Sequence, residues 1–256
     1  MVSIAIVTYN NSSVIKKCLN SIFETIKNLK FELIIVDNGS SDNTVEIIEK
    51  DFKNVRLIKN NRNIGFGAAH NIAIKLGRGK YHLVLNPDII FSENSIEKLF
   101  NFMEKNLEVG LVSPKIILSN GSIQYLCKRL PSLFDFIIIR FMPKFIRKIF
   151  QARIDYYEMR QPGYNKIMDV LFLTGAFMLV RRNVLDKVGG FDENFFMYFE
   201  DVDLCRRIKK ISRTVFYPHT SVIHLWEGGT RKNIQLLLTS IRSAIYYFNK
   251  WGWKLF

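Results

Sequence analysis

The sequence predicts an α/β fold: a mostly parallel central sheet flanked by helices, followed by a smaller mixed second half. Two observations predict it. Short apolar, β-branched runs alternate with helical spacing from Val2 to Leu85, and each run ends in a polar turn. Strands that alternate with helices pair in parallel through right-handed crossovers, and such sheets bind ligands at the carboxyl ends of their strands. Val2–Thr8 is the first strand. Asn11–Ser13 can cap a helix whose apolar residues run from Val14 to Ile26. Phe31–Val36 is the second strand, and Ser41 with Asp42 caps a helix to about Asp51. Val55–Lys59, a helix from Gly65 to Leu76, and strand Tyr81–Leu85 follow, stopped by Asn86-Pro87-Asp88.

The second half is less regular. Leu111–Leu118 and Ser122–Cys127 read as strands around the Asn120-Gly121 turn signal. Val170–Val180 reads as one buried strand and Phe199–Lys210 as a helix. Thr214–Tyr217 and Ser221–Leu225 are short strands around Pro218. A last helix runs from about Ile234 to Lys250, with Ile234, Leu237, Leu238, Ile241, Ile245 and Phe248 as its core face. No repeat or Gly/Ser/Pro-rich linker divides the chain, so residues 1–118 and 119–256 are two halves of one domain.

The 256 residues carry a formal net charge of +14, with 48% hydrophobic and 23% charged residues, which excludes a disordered chain. The positive excess asks for an anionic partner. Three widely spaced cysteines, Cys18, Cys127 and Cys205, fit neither a disulfide framework nor a metal spacing, and point to a reducing compartment. The N-terminus reads as a strand and not a signal peptide. The longest apolar run, Val170–Val180, is too short for a bilayer that needs about 20 helical residues.

Several constellations can carry chemistry. Asp37, at a strand end before Asn38-Gly39-Ser40, either accepts hydrogen bonds from a base or ribose, or closes its own turn. Gly65 and Gly67, in the loop from Asn61, permit a close backbone approach at a helix start, yet match neither GxGxxG nor a P-loop, and an ordinary turn explains them equally. Asp88 on a stiff turn suits Mg²⁺ or Mn²⁺ near a diphosphate, or merely ends a strand. On a helix, Asp201 heads the apolar face of Leu204, Cys205 and Ile208, whereas Asp203, Arg206, Arg207 and Lys210 share a charged face, with Asp203 and Arg207 as an i,i+4 pair. An inward carboxylate is costly unless paired, hydrogen-bonded or used; capping its own helix is the competing reading for Asp201. His224 is a lone histidine, a type more often structural than a ligand. Trp226, followed by two glycines, suggests a loop that closes on a sugar ring.

Taken in order, Ile6-Val7-Thr8-Tyr9-Asn10, Val36 to Asp42, Asn63 to Gly67, Leu85-Asn86-Pro87-Asp88, Thr174-Gly175-Ala176-Phe177, and Gly190-Phe191-Asp192 through Phe196 to Asp203 resemble the family 2 glycosyltransferases of the GT-A fold, especially their rhamnosyltransferase-like branch. The resemblance runs from Val2 to about Trp251 and implies a Rossmann-like GT-A sheet. It implies that Thr8, Tyr9 and Asp37 hold the nucleoside of an activated sugar, with Asn63 and Gly65 lining the same pocket. Asp88 matches the last carboxylate of the DxD metal motif, where Asn86 replaces the first aspartate; one anionic ligand fewer weakens the affinity for the implied Mg²⁺ or Mn²⁺. Asp201 matches the catalytic base and His224 a histidine that completes the metal shell in some relatives. Glu200 and Trp226 fall on the acceptor side. The implied enzyme inverts a nucleoside-diphosphate sugar, dTDP-rhamnose first and a UDP-hexose second, onto a hydroxyl of a cell-surface glycan or lipid-linked acceptor.

Between Lys128 and Arg153, seven basic residues face a single acidic one, Asp135. Within segment 130–153, Lys144, Arg147, Lys148 and Gln151 share one helical face, and Phe145, Ile146, Ile149 and Phe150 the other. This is the pattern of a helix lying on an anionic membrane, or of a core-facing helix with a solvated basic side. It places the protein in the cytoplasm, peripheral on the inner face of the plasma membrane. A non-enzymatic nucleic-acid binder is the rival from charge, but the basic residues cluster instead of interleaving with aromatics over a sheet, so no nucleic-acid partner is expected. A sugar nucleotidyltransferase or dehydrogenase is disfavoured by the missing glycine-rich fingerprint after the first strand.

Overall fold

The computed structural model describes residues 1–225 and 234–256. Strands β1 (Val2–Thr8), β2 (Phe31–Asp37), β3 (Arg56–Lys59) and β4 (Tyr81–Leu85) run parallel, joined by α1 (Ile15–Thr25), α2 (Thr44–Asp51) and α3 (Phe66–Leu76). β1 is buried along its whole length because helices cover both faces, which is why it reads as an unbroken apolar run. Its register puts Thr8 beside Asp37 and Ile6 beside Leu85, so three strand ends share one edge. Asn11 does not cap α1; its Oδ1 accepts the N–H of Tyr9 and shapes the turn instead.

The chain continues through β5 (Ile89–Phe91), α4 (Ser95–Lys105), β6 (Val109–Leu118), β7 (Cys127–Lys128), α5 (Leu133–Phe141), α6 (Lys144–Ile149) and α7 (Gln151–Tyr157). Then come β8 (Met168–Asp169), β9 (Phe172–Leu173), β10 (Phe177–Arg181), α8 (Arg182–Val188), α9 (Glu200–Lys209), β11 (Arg213–His224) and α10 (Ile234–Trp251). The main sheet has the order β3-β2-β1-β4-β10-β6-β11-β5, with β8 beside β11. β10 and β5 run antiparallel to their neighbours, so the sheet is mostly parallel and takes strands from both halves of the chain.

Five expectations for the second half are corrected. Val170–Val180 is not one strand: Thr174-Gly175 breaks it between β9 and β10. Ser122–Cys127 is not a strand either. Ile123 bridges Ile117, and only Cys127 reaches a ladder, with Leu173. The two strands expected around Pro218 are one, β11, with a register shift between Tyr217 and Ser221 that absorbs the proline. The single helix expected across Lys144–Gln151 is two, α6 and α7, joined at Phe150. α10 turns a different face inward: Ser240, Ser243, Ala244, Tyr247 and Phe248 are buried, whereas Ile234, Leu238 and Ile245 are exposed. Small residues let α10 approach closely, and Ser243 Oγ donates to the Met197 carbonyl at 2.8 Å.

The i,i+4 pair expected between Asp203 and Arg207 on the charged face of α9 is present, and its aspartate is covered. Asp203 is fully buried and sits 2.8 Å from both Arg207 Nε and Lys250 Nζ, and accepts Trp251 Nε1–H at 2.8 Å. The end of α10 covers that face, so Asp203 is a structural tie between the two helices. All three cysteines are buried and free, and no helix among the described residues is long and apolar enough to cross a membrane.

Candidate active site

The edge where β1, β2 and β4 end is held by short polar loops. Asp37 is buried, and its oxygens are filled: Oδ1 accepts from Thr8 Oγ1 (2.8 Å) and Ser40 Oγ (2.5 Å), and Oδ2 from the N–H groups of Gly39 (3.1 Å) and Ser40 (2.9 Å). Four hydrogen bonds use the lone pairs a carboxylate offers. The turn-closing reading of Asp37 is therefore what the geometry provides, with Thr8 as its partner. Asn38 extends this floor: its amide donates to Asn63 Oδ1 (3.4 Å) and the Gly65 carbonyl (3.1 Å). Asn63 Oδ1 accepts the Gly65 N–H at 2.9 Å. Tyr9 is half-exposed at the rim. Gly65 has φ +95°, and a Cβ there would lie 2.4 Å from the Phe196 carbonyl oxygen, so only glycine fits. That carbonyl accepts the Phe66 N–H at 2.9 Å, which fastens this loop to the segment leading into α9.

Tyr198 and Phe199 both have left-handed backbones, φ +70° and +66°. Two such non-glycine residues in a row are strained, a state that survives only where surrounding structure enforces it. They swing the chain so that Glu200 and Asp201 open α9. Asp201 Oδ2 accepts the Gly175 N–H at 3.0 Å, and Oδ1 accepts the Val202 N–H at 2.8 Å. Leu204, Cys205 and Ile208 are fully buried below it, as helical spacing predicts. Burial raises the Asp201 pKa; the two N–H donors and the positive charge of Lys128 oppose that rise. Burial, with the Asp201 carboxylate beside it, pushes Glu200 well above the ordinary carboxylate range. Glu200 Oε2 has no hydrogen-bond partner within the protein.

The break at Thr174-Gly175 thus delivers an N–H to Asp201, and the next residue ties the site to Asp88. Ala176 O accepts the Asn86 N–H at 3.0 Å, and Asp88 O accepts the Leu225 N–H at 2.9 Å. Asp88 Oδ1 lies 3.1 Å from His224 Nε2. His224 Nδ1 faces Gln124 Oε1 at 2.7 Å. An amide oxygen only accepts, so Nδ1 donates to Gln124 and the ring presents Nε2 to the carboxylate. Asp88 Oδ1 and His224 Nε2 are buried and have no other hydrogen-bond partner, so a proton or a cation joins them. Among the described residues no group of three or more His, Cys, Asp or Glu could hold a metal ion. Trp226 lies outside the described residues.

Beside Asp201 is a cavity of about 580 Å³. Glu200 and Asp201 line it together with Lys128, Arg140, Thr174 and Tyr198. The sequence shows Lys128 and Arg140 only as members of a basic run; pairing of β7 with β9 and the last turn of α5 bring both to this wall. Other members of that run are structural. Arg153 is paired with buried Asp135 at 2.7 Å, and the Arg129 guanidinium lies 4.0 Å from the Tyr156 ring centroid.

This architecture, a parallel sheet with its acidic groups gathered at one strand edge, is that of the GT-A glycosyltransferases, enzymes that move a sugar. The Glycosyl transferase family 2 model matches residues 3–189, and the chain belongs to that family. It is 30% identical over 234 residues to the N-acetylglucosaminyl-diphospho-decaprenol L-rhamnosyltransferase of Mycobacterium tuberculosis, covering 84% of this chain and 73% of the relative. It is 28% identical over 233 residues to the rhamnosyltransferase WbbL of Escherichia coli, covering 88% and 83%. Among solved structures, S. aureus TarS 1–349 in complex with UDP-GlcNAc superposes with a TM-score of 0.63 at 18% identity, over 97% of this chain and 66% of that one. At that identity the likeness shows the fold.

Proposed function

We propose that the protein is an inverting glycosyltransferase that uses a nucleoside-diphosphate sugar, dTDP-rhamnose first and a UDP-hexose second, and glycosylates a hydroxyl of a cell-surface glycan or lipid-linked acceptor. The single observation that carries this reading is the position of Asp201. Its carboxylate is oriented by two backbone N–H groups, it lines a roomy cavity, and it connects through Gly175-Ala176 to the Asn86–Asp88 turn.

In this reading the donor lies along the strand edge, its nucleoside over the loop that Thr8, Asp37, Asn63 and Gly65 shape, with Tyr9 at the rim. Asp201 takes the proton of the acceptor hydroxyl. The acceptor oxygen then bonds to the anomeric carbon as the bond to the diphosphate breaks on the opposite face, so the configuration inverts. Glu200, protonated, is placed to donate a hydrogen bond to the acceptor, with Trp226 assigned to the same side. Asp88 and His224 would hold a divalent cation, Mg²⁺ or Mn²⁺. Asp88 Oδ1 and His224 Nε2 face each other with no other partner, a pair of ligand atoms that would fit one, and Gln124 orients the imidazole. Bound there, the ion supplies positive charge for the diphosphate.

A peripheral site on an anionic membrane is part of the same proposal. Phe145 and Ile149 on α6 are 70% and 77% exposed, and Phe141 is exposed beside Arg140. That supports membrane contact over a core-facing helix. Liposome co-sedimentation at low salt tests it: binding to anionic vesicles is expected, and absence of binding removes the membrane element alone. For the transferase itself, a thermal-shift panel of nucleotide-sugars with Mn²⁺ is expected to find a donor that stabilises the fold and is turned over to the free nucleoside diphosphate. A protein that no nucleotide-sugar stabilises would overturn the reading.

A further inference from the structure

We infer that the cavity beside Asp201 seats a glycosyl acceptor that carries a phosphate or diphosphate, gripped by Arg140 with Lys128 in support. The inference rests on the transferase reading and names the chemistry of its acceptor. Three side chains on the cavity wall leave buried polar atoms without a protein hydrogen-bond partner: Thr174 Oγ1, Glu200 Oε2, and both Nε and Nη2 of Arg140, whose guanidinium lies 5.4 Å from the Tyr198 ring centroid. Glu200 is 5% exposed. Unpaired buried polar atoms are rare and costly, and several around one cavity point to a polar ligand that pairs them.

The arginine says which kind of ligand. Nε and Nη2 are the two N–H donors on one edge of a guanidinium, the pair that meets two oxygens of a phosphate side-on. Among the described residues Arg140 and Lys128 form no ion pair with a carboxylate, whereas Arg160, on the same wall, is already paired with Glu158 and Asp155. Lys128 Nζ stands over two rings, 5.7 Å from the centroid of Tyr157 and 5.9 Å from that of Phe172, so its charge stays on the cavity side. The remaining wall is largely apolar, and its aromatic members Tyr125, Phe136 and Phe199 offer flat faces for a sugar ring or the start of an alkyl chain. A neutral sugar would meet the hydroxyls and Glu200 but leave the guanidinium edge empty. A phosphorylated sugar fills both, with its free hydroxyl toward Asp201.

The test is calorimetric titration of the protein saturated with UDP or dTDP, whichever binds. Saturation keeps the probes out of the donor's own diphosphate site. The probes are glucose 1-phosphate, farnesyl diphosphate and the neutral methyl glucoside. The phosphorylated probes should bind at least about tenfold more tightly than methyl glucoside. Arg140→Gln should weaken them by about ten- to a hundredfold, the loss expected for charge-assisted hydrogen bonds, with nucleotide affinity unchanged. Lys128→Gln should act in the same direction but less, and Arg140→Lys should restore only part, since an ammonium lacks the paired edge. Tighter binding of farnesyl diphosphate marks a lipid carrier; equal or tighter binding of glucose 1-phosphate marks a soluble phosphorylated sugar. Methyl glucoside binding as tightly as the phosphorylated probes, or Arg140→Gln leaving their affinity intact while nucleotide still binds, overturns the inference and spares the transferase reading. Failure of both nucleotides to bind overturns the transferase reading itself.

Discussion

Gly175 donates its backbone N–H to Asp201 Oδ2 at 3.0 Å, across 26 residues of sequence. A Cβ at position 175 would lie 3.2 Å from the Phe66 ring and 3.6 Å from Asp201 Cβ. Glycine therefore lets three segments meet: the loop that opens α3, the turn between β9 and β10, and the start of α9. The inward carboxylate is held by backbone donors and needs no neighbouring salt bridge, so it remains free to face a ligand.

Glu200 makes the site costly to the fold. Its folded pKa is raised, so the folded state holds a proton that the unfolded state releases near its ordinary pKa of about 4.3. Stability then falls as pH rises through that value toward the folded pKa. Glu200→Gln keeps a neutral hydrogen-bonding group and removes this loss. Calorimetry should give the variant a higher Tm than wild type at pH 7, with the gap closing below about pH 4. A lower Tm at pH 7, or a gap independent of pH, would contradict it.

Arg181 binds the sheet to α4 from inside the core. It is 7% exposed and donates to Tyr81 Oη (2.8 Å), Met103 O (2.8 Å), Asn106 O (3.3 Å) and Val109 O (3.2 Å). Arg181→Met strips those acceptors of their donor and should cost about 3 kcal/mol. A lowered urea midpoint with an unchanged m-value would register the loss. Activity per folded molecule should hold, because the network lies at the strand ends opposite the site.

How much of this was legible in the sequence follows from what buries each segment. β1, β2 and β4 lie within a residue of their expected ends because parallel strands covered on both faces leave apolar runs, and edge strand β3, with only Leu57 and Ile58 partly covered, does so as well. The order of polar turns at Thr8, Asp37 and Asp88, and Asp201 at the head of an apolar helical face, were readable for the same reason: local pattern decides them. The rest depends on contacts between distant residues. The apolar stripe of α10 is its most periodic feature, yet close packing against 197–199 selects the face of Ser240, Ser243 and Ala244. Asp203 looks like half of a surface pair until Lys250 and Trp251 arrive from the far end of the chain. Arg140 and Lys128 vanish into a basic run because charge count does not say which side chains turn toward a cavity. α4 carries its own sequence signal, apolar spacing at Ile96, Leu99 and Met103.

Asp192 should govern acid stability. Burial works against its charge, but Lys250 Nζ at 2.6 Å, the N–H and side-chain amide of Asn194, and Tyr246 Oη outweigh that and lower its pKa to about 2. The group therefore stabilises the fold fully above the unfolded value near 3.9, and the contribution fades as pH falls from about 4 to about 2. Asp192→Asn should cost about 2 kcal/mol at pH 7 and flatten the acid limb of the Tm–pH curve. An unchanged acid limb would show that other groups set it.

The role of Asp201 as general base is tested most directly by Asp201→Asn, assayed for donor binding and for transfer on the same preparation. The amide keeps the shape and still accepts one backbone hydrogen bond but takes no proton. Nucleotide-sugar affinity should match wild type, and transfer to acceptor should fall by roughly 10²–10⁴-fold. Turnover near the wild-type rate would contradict the account.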